Sequence, residues 1–276
     1  MALTAHAEAL WRQLEPLLPG LSVEVLPTCA STNTTLLERA RAGDLAPCLL
    51  VAEAQTQGRG RLGRSWASVP GASLTFSLAL PYAPQDWSGL SLAVGMCLGD
   101  ALDPSGQRIA LKWPNDLWLR DGPGRGRKLG GILIETVVVA GQRVAVIGIG
   151  LNVLAQSDAG LTHGLAALHE RDAKVTTAST LAAVAAPLLH MLRRFEREGF
   201  APLAARYAVR DLLRGQYVLT TQAGVPEGVA EGVDAQGALL VRAGAVAGAG
   251  SGSGSLHHIS SGEVSIRLQA TAAAAS

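Results

Sequence analysis

Three arginines are threaded among three glycines in VAEAQTQGRGRLGRSW, residues 51–66, with no acidic residue between Gln57 and Trp66. Gly58, Gly60 and Gly63 satisfy the G-x-G-x-x-G spacing of a dinucleotide turn. That turn needs a strand before the first glycine and a helix opening at the last, so that the helix N-terminus faces the pyrophosphate. The strand-like CLLVAEA precedes it, but RSWASVPGASL follows, a Pro-Gly turn and then strand-like alternation. No Gly-Lys-Ser/Thr occurs, so a Walker loop fails as well. One chemical reading survives: a glycine-flexed loop whose Arg59, Arg61 and Arg64 offer planar guanidinium forks to a phosphate or carboxylate. The plainest alternative is a solvated surface loop. An RG-type RNA-binding segment is a third, but it lacks interleaved aromatics for base stacking apart from Trp66.

Neighbouring stretches add polar groups of the same kind. LKWPNDLWL sets Lys112 at the end of an apolar strand, where it can neutralise a carboxylate or phosphate. Pro114 then fixes a turn that Asn115 and Asp116 can close through their own backbone. Residues 120–128 hold Arg120, Arg125, Arg127 and Lys128 against Asp121 alone. Gly130 and Gly131 follow, where a backbone can pass close to a ligand. VIGIGLNV ends a buried strand on Asn152, whose ordinary role is that of a turn residue.

These groups need a scaffold, and its periodicities are readable. Leu10, Trp11, Leu14 and Leu17 recur at helical spacing until Pro19-Gly20. SVEVL reads as a strand. Ser31 or Thr32 caps a helix ending at Gly43. GASLTFSLAL alternates as a strand, a helix runs from about 87 to 102, and RIALKW is a strand ending at Pro114. NDLWLR and LGGILIETVVV read as strands around a loop, DGPGRGRK, and RVAVIGIGLNV is another strand. Helices follow at 176–199 and about 203–209. The order predicts an α+β domain with a mixed, mainly antiparallel sheet. From 213 on, short glycine-broken strands predict a small β-barrel near the lower size limit for an independent core. The expected division is 1–212, 213–268 and a disordered tail at 269–276, with AGAVAGAGSGSGS (243–255) as a mobile turn.

Composition narrows the function class. With 48% hydrophobic and 16% charged residues the chain can bury a sizeable core, and a net charge of +1 draws it to neither nucleic acid nor membrane. Cys29, Cys48 and Cys97 lack metal-ligand spacing and read as reduced thiols. The N-terminus has no signal-peptide pattern, and no stretch approaches the roughly 20 apolar residues of a membrane span. A soluble, cytoplasmic protein is expected.

Taken in order, STN (Ser31–Asn33), EAQTQGRGRLGRSW, LKWPNDLWL, RKLGGILIE, IGIGLNV and SSGEVSIRL resemble the biotin protein ligases over roughly residues 25–268. The resemblance implies a class II synthetase-like catalytic core with a C-terminal SH3-like barrel. It implies a two-step reaction, in which biotin and Mg·ATP give biotinyl-5′-AMP and the biotinyl group then passes to a lysine of a biotin carboxyl carrier domain. It assigns biotin to Ser31, Thr32, Asn33, Gln55, Arg59, Gly60, Arg61, Lys112, Gly130 and Gly131. The nucleotide falls to Arg59, Arg61, Trp66, Asn115, Lys128, Asn152 and Arg267, and catalysis to Lys112, Arg59 and Arg61. Mg2+ arrives with ATP and has no dedicated protein cage. The arginine loop becomes a lid that shields the adenylate from water.

About 25 residues precede the first motif, too few for the winged-helix repressor domain of many bacterial members, so no operator binding is expected. The resemblance allows a homodimer without fixing its geometry. A lipoate–protein ligase shares the fold and adenylate chemistry but lacks the pairing of KWPND with GRGRxG. A biotin-sensing co-repressor would need the missing DNA-binding domain. A tRNA synthetase-like role is opposed by the near-neutral charge and the lack of an anticodon-type module.

Overall fold

The computed structural model describes residues 3–156, 164–222, 225, 227–244, 254–260 and 266–268. The C-terminal stretch 269–276, most of the Gly/Ser-rich turn at 243–255, and the side chain of Arg267 lie outside the described residues. The leading half is helix α1 (Thr4–Leu14), strand β1 (Ser22–Cys29), α2 (Thr32–Arg41), β2 (Cys48–Gln55), β3 (Ser73–Pro81) and α3 (Leu90–Leu102). Strands β4 (Ile109–Lys112), β5 (Asp116–Gly122), β6 (Arg125–Val139) and β7 (Gln142–Asn152) follow, then α4 (Thr177–Glu198) and α5 (Ala204–Arg210). Last come β8 (Tyr217–Thr220), β9 (Glu227–Val233), β10 (Leu239–Arg242), β11 (Leu256–Ile259) and β12 (Ile266–Leu268).

Seven strands form one sheet in the order β1-β2-β3-β7-β6-β5-β4. Only β1 and β2 pair in parallel; every other neighbouring pair is antiparallel. The mixed, mainly antiparallel sheet is the one expected. Its two faces are covered unequally. Leu49, Val51, Phe76, Leu78, Ile147 and Ile149 join the large core that holds buried residues of α3 and α4. On the opposite face α2 packs Leu36, Leu37 and Ala40 over Cys48, Leu50, Ala79, Val144 and Val146. Burial at those positions removes apolar side chains from water, worth about 1.5–3 kcal/mol for each fully enclosed Leu or Val.

Strand β3 alternates polar and apolar residues as read, and from Ser73 to Leu80 all of them are buried. Its polar set, Ser73, Thr75 and Ser77, faces other polar groups of the protein instead of solvent. The stretch DGPGRGRK is not a loop. Strand β5 reaches Gly122 and β6 begins at Arg125, leaving a two-residue turn with Gly122 at φ 144° and Gly124 at φ 64°. Glycine tolerates such angles where other residues would strain. Arg127, now a strand residue, bridges Asp121 and Glu170 and so ties this hairpin to the segment after β7.

The C-terminal strands form a five-stranded antiparallel sheet, β11-β10-β9-β8-β12, the strand set expected of a small barrel. It does not keep a core to itself. Val218, Val225, Ala230, Leu239, Val241 and Ile259 belong to the same buried cluster as the main sheet. Trp113, 1% exposed, donates its indole N–H to Gly237 O at 3.0 Å. No described helix is long and apolar enough to cross a membrane. Burial pushes the thiols of Cys48 and Cys97 up to about 11 and about 12, so both stay protonated and unreactive near neutral pH.

Candidate active site

Cross-strand register fixes which side chains share a face of the sheet. One row runs Ala52, Thr75, Gly150, Gly131, Asp116 and Lys112 across six strands. The next row holds Ser77, Gly148 and Leu133. This is the face on which α2 lies, and three glycines leave part of it as bare backbone. Such paving lets another group approach the strands closely. A Cβ on Gly148 would lie 2.2 Å from Asn33 Oδ1, and one on Gly150 would lie 2.4 Å from Trp66 Cε2.

Lys128 reaches this face through a β-bulge. Asp116 pairs with Gly131, and Trp118, two residues on and on the same face, pairs with Lys128. Gly131 and Lys128 are three positions apart, so a regular strand would turn them to opposite faces. The register shift opposite Leu117 and Trp118 inserts the extra residue and re-aims the lysine. Its ammonium donates to Asp116 Oδ1 at 2.8 Å and lies 5.9 Å from the Trp66 ring centroid. Lys112 stands at the end of the same row, nearly enclosed at 7% exposed, with its ammonium 4.5 Å from the Trp118 ring centroid.

A polar chain runs from the start of α2 into β3. Ser31, Thr32 and Asn33 are buried there, and Ser31 occupies the N-cap position without making the cap bond expected of it. Gln55 Oε1 accepts the Thr32 backbone N–H at 2.7 Å. The Thr32 and Ser77 hydroxyls lie 2.6 Å apart, and Ser77 Oγ donates to Asn33 Oδ1 at 2.6 Å. Asn33 Nδ2 donates to Leu133 O at 3.1 Å and to Glu135 Oε2 at 2.9 Å.

The glycine–arginine loop folds over this floor as a small hairpin. Trp66 N donates to Gly58 O at 2.8 Å and Gly60 N to Arg64 O at 2.7 Å, with Arg59 and Ser65 bridged. Gly58 is required by close approach, since a Cβ there would lie 2.4 Å from Trp66 O. Leu62, at φ 55°, and Gly63 turn the tip. Arg59 Nη2 contacts both Glu135 carboxylate oxygens, at 3.2 and 3.1 Å. Arg61 Nη1 reaches Asn115 Oδ1 at 3.4 Å, and burial holds its guanidinium below its ordinary pKa. The Trp66 indole N–H is buried with no hydrogen-bond partner among the described residues.

The structure thus gathers Thr32, Asn33, Gln55, Arg59, Arg61, Trp66, Asn115, Lys128 and the Gly131 backbone around one groove, with Lys112 at its enclosed end. Gly130 is in the backbone layer, where a Cβ would lie 2.6 Å from Gly150 O. Asn152 holds the margin by donating to the carbonyls of Lys128 and Ala166. Sequence reasoning missed Ser77, Glu135, Gly148 and Gly150. Ser77 carried a signal: with Ser73 and Thr75 it sets hydroxyls at alternate positions of an otherwise apolar strand. Glu135 carried none, because its partners lie 76 and 102 residues away. What the groove offers is cationic groups beside a hydrogen-bonding pocket, under a loop that can shield both. Such a site can bring two anions together and stabilise charge developing between them.

A family profile described as "Biotin/lipoate A/B protein ligase family" matches residues 25–152, and one described as "Biotin protein ligase C terminal domain" matches residues 218–267. The chain is 36% identical over 241 residues to the bifunctional ligase/repressor BirA of Escherichia coli, covering 83% of this chain and 72% of that protein. It is 34% identical over 255 residues to the biotin–[acetyl-CoA-carboxylase] ligase of Mycobacterium tuberculosis, covering 85% of each. The structure of biotin protein ligase from Aquifex aeolicus in complex with biotin and ATP superposes with a TM-score of 0.71 at 27% identity, covering 90% of this chain and 99% of that one.

Proposed function

The chain belongs to the biotin/lipoate A/B protein ligase family, as a biotin protein ligase, and from that premise we propose how its own residues divide the work. The reaction is ATP-dependent biotin ligation. In the first step a biotin carboxylate oxygen attacks the α-phosphorus of ATP, the bond to pyrophosphate breaks, and biotinyl-5′-AMP forms. In the second, a lysine amine of a biotin carboxyl carrier domain attacks the acyl carbon, AMP leaves and an amide forms. The mixed anhydride is itself the activated species, so no enzyme nucleophile is required.

The observation that carries the residue assignment is the row of Gly150, Gly131, Asp116 and Lys112 with Lys128 beside it, roofed by Trp66 and flanked by Arg59 and Arg61. Biotin lies beside the floor that Trp66 and Asn33 cover at Gly150 and Gly148, with its ureido ring toward Ser31, Thr32 and Gln55. Its carboxylate meets the α-phosphate between Arg59, Arg61 and Lys128. Lys128 is the lysine with both reach and exposure; Lys112, enclosed over Trp118, adds its charge from the end of the row. Opposite charges at about 4 Å attract by roughly 4 kcal/mol at an effective dielectric near 20. That is enough for each cation to change the rate of a step that builds charge on phosphorus. Trp66 and Asn115 take the nucleotide, with Arg267 assigned to its outer end, where Asn152 holds the carbonyls of Lys128 and Ala166 in place. Mg2+ is assigned to the ATP phosphates, since Asp116, the carboxylate of the floor, is already paired with Lys128. The loop closes as a lid and keeps water from the adenylate.

The catalytic part is taken as residues 1–212 and the C-terminal module as 213–268. The unreactive thiols suit a cytoplasmic setting, and the near-neutral charge gives no reason to assign a nucleic-acid partner. An ATP–pyrophosphate exchange assay with equimolar biotin and lipoate tests the proposal. Biotin-dependent exchange is expected; exchange with lipoate alone would move the assignment to lipoate ligation.

A further inference from the structure

Glu135 is a carboxylate that touches both the loop and the pocket. Its Oε2 receives Arg59 Nη2 at 3.1 Å and Asn33 Nδ2 at 2.9 Å, and its Oε1 lies 3.2 Å from the same Arg59 nitrogen. A carboxylate accepts and never donates, as does the Leu133 carbonyl, so Asn33 must turn its NH2 toward both. The Asn33 oxygen then faces Ser77, whose single hydrogen it takes, and the 2.6 Å contact between Thr32 and Ser77 must be donated by Thr32. Asn33 has spent both hydrogens inside the protein, and its role is to hold Glu135 and Ser77 in place.

Arg59 stands differently. Its side chain is 44% exposed and that of Glu135 is 28% exposed, so their ion pair is partly solvated and weak. We propose that Glu135 is a positioning residue that holds Arg59 in the ligand-free enzyme and releases it to the carboxylate or phosphate of the entering ligand. One carboxylate is exchanged for another anion, while Asn33 keeps Glu135 from following the arginine. The exchange ties the release of Arg59 to the arrival of an anion, so a neutral ligand of the same shape leaves the latch in place. This rests on the assignment of biotin and ATP to the groove.

The test is Glu135→Gln, which keeps an acceptor for Asn33 and removes the charge that holds Arg59. Two readings are taken on the full-length protein. In the ligand-free state, trypsin cleavage after Arg59, Arg61 or Arg64 should speed up severalfold. In binding, biotin should tighten by about two- to fivefold, the size set by a partly exposed ion pair. The neutral alcohol analogue of biotin should bind as it does to wild type. In an Arg59→Gln background the Glu135→Gln change should have no further effect on biotin affinity. Glu135→Asp, which restores the charge, should recover part of the trypsin resistance. Unchanged cleavage would overturn the latch, as would equal shifts for biotin and its alcohol. The trypsin reading needs no ligand, so it judges the latch even where wild-type protein binds no biotin, a result that would overturn the function and not the ion pair.

Discussion

A single methyl at Gly150 probes whether the loop truly seats on the glycine floor. Its Cβ would lie 2.4 Å from Trp66 Cε2, 2.6 Å from Cζ2 and 2.7 Å from Nε1. Carbon contacts are favourable only near ~3.5–4.0 Å, so the indole must lift by roughly 1 Å or more. The strand cannot retreat, because Gly150 pairs with Thr75 on one side and Gly131 on the other. Trp66 is tied to Gly58 through its backbone, so lifting the ring carries Arg59 and Arg61 with it. Overpacking of this kind costs about 1–3 kcal/mol. The loop can unseat without unfolding the sheet, so the cost falls mainly on ligand binding, as an affinity loss of roughly 5- to 150-fold. Steady-state exchange kinetics on Gly150→Ala should show the loss in the KM for ATP, with a small change in Tm. Added to Trp66→Ala, the same methyl should cost nothing more, because the clash has no partner left. Unchanged kinetics in Gly150→Ala, or losses that add in the double variant, would refute the seating.

Gly148→Ala drives a Cβ to 2.2 Å from Asn33 Oδ1 and breaks the chain through Ser77 and Thr32, so biotin affinity should fall about tenfold or more in a titration, while ATP affinity holds. Lys128→Ala should slow adenylate formation more than Lys112→Ala, and Lys112→Ala should lower adenylation far more than biotin affinity. Equal losses in rate and affinity would contradict the charge role of Lys112. Burial pushes the Asp211 carboxyl up to about 6 from 3.8, with the Leu213 N–H at 2.9 Å opposing the shift. A carboxyl with a raised folded pKa holds its proton more tightly when folded. Its contribution is therefore most favourable below about pH 4 and is lost as pH rises through 6, by about 3 kcal/mol. Asp211→Asn should raise stability at pH 7.5 in denaturant melts and flatten the slope between pH 4 and 6; an unchanged slope would exclude this source.

Much of the scaffold was legible because its signals are local. The helix ending near Gly43, the buried CLLVAEA strand and the 176–199 helix follow from spacing and caps that a few residues carry. The arginines of GRGRLG were informative where the glycine spacing misled. Gly58 is there for a backbone approach to Trp66, and Gly63 for a turn, so only part of the glycine content concerns flexibility. What could not be read depends on strand pairing. Lys128 looked like a loop residue, and only the bulge at Leu129 turns it to the face that holds Gly131 and Asp116. Ser77 went unassigned because alternation alone cannot tell a polar pocket from water. Glu135 meets Arg59 and Asn33 only after β6 is laid beside β7 and beneath α2.

On the proposed function, biotin passes to a carrier lysine through an adenylate made in this groove. Its most direct test is a single-turnover reaction of the protein with biotin, ATP and a biotin carboxyl carrier domain, followed by mass analysis of the carrier. One biotinyl group on the acceptor lysine, formed through biotinyl-5′-AMP and lost when lysine is replaced by arginine, is the predicted result. A carrier of unchanged mass beside wild-type protein that makes no adenylate would contradict it.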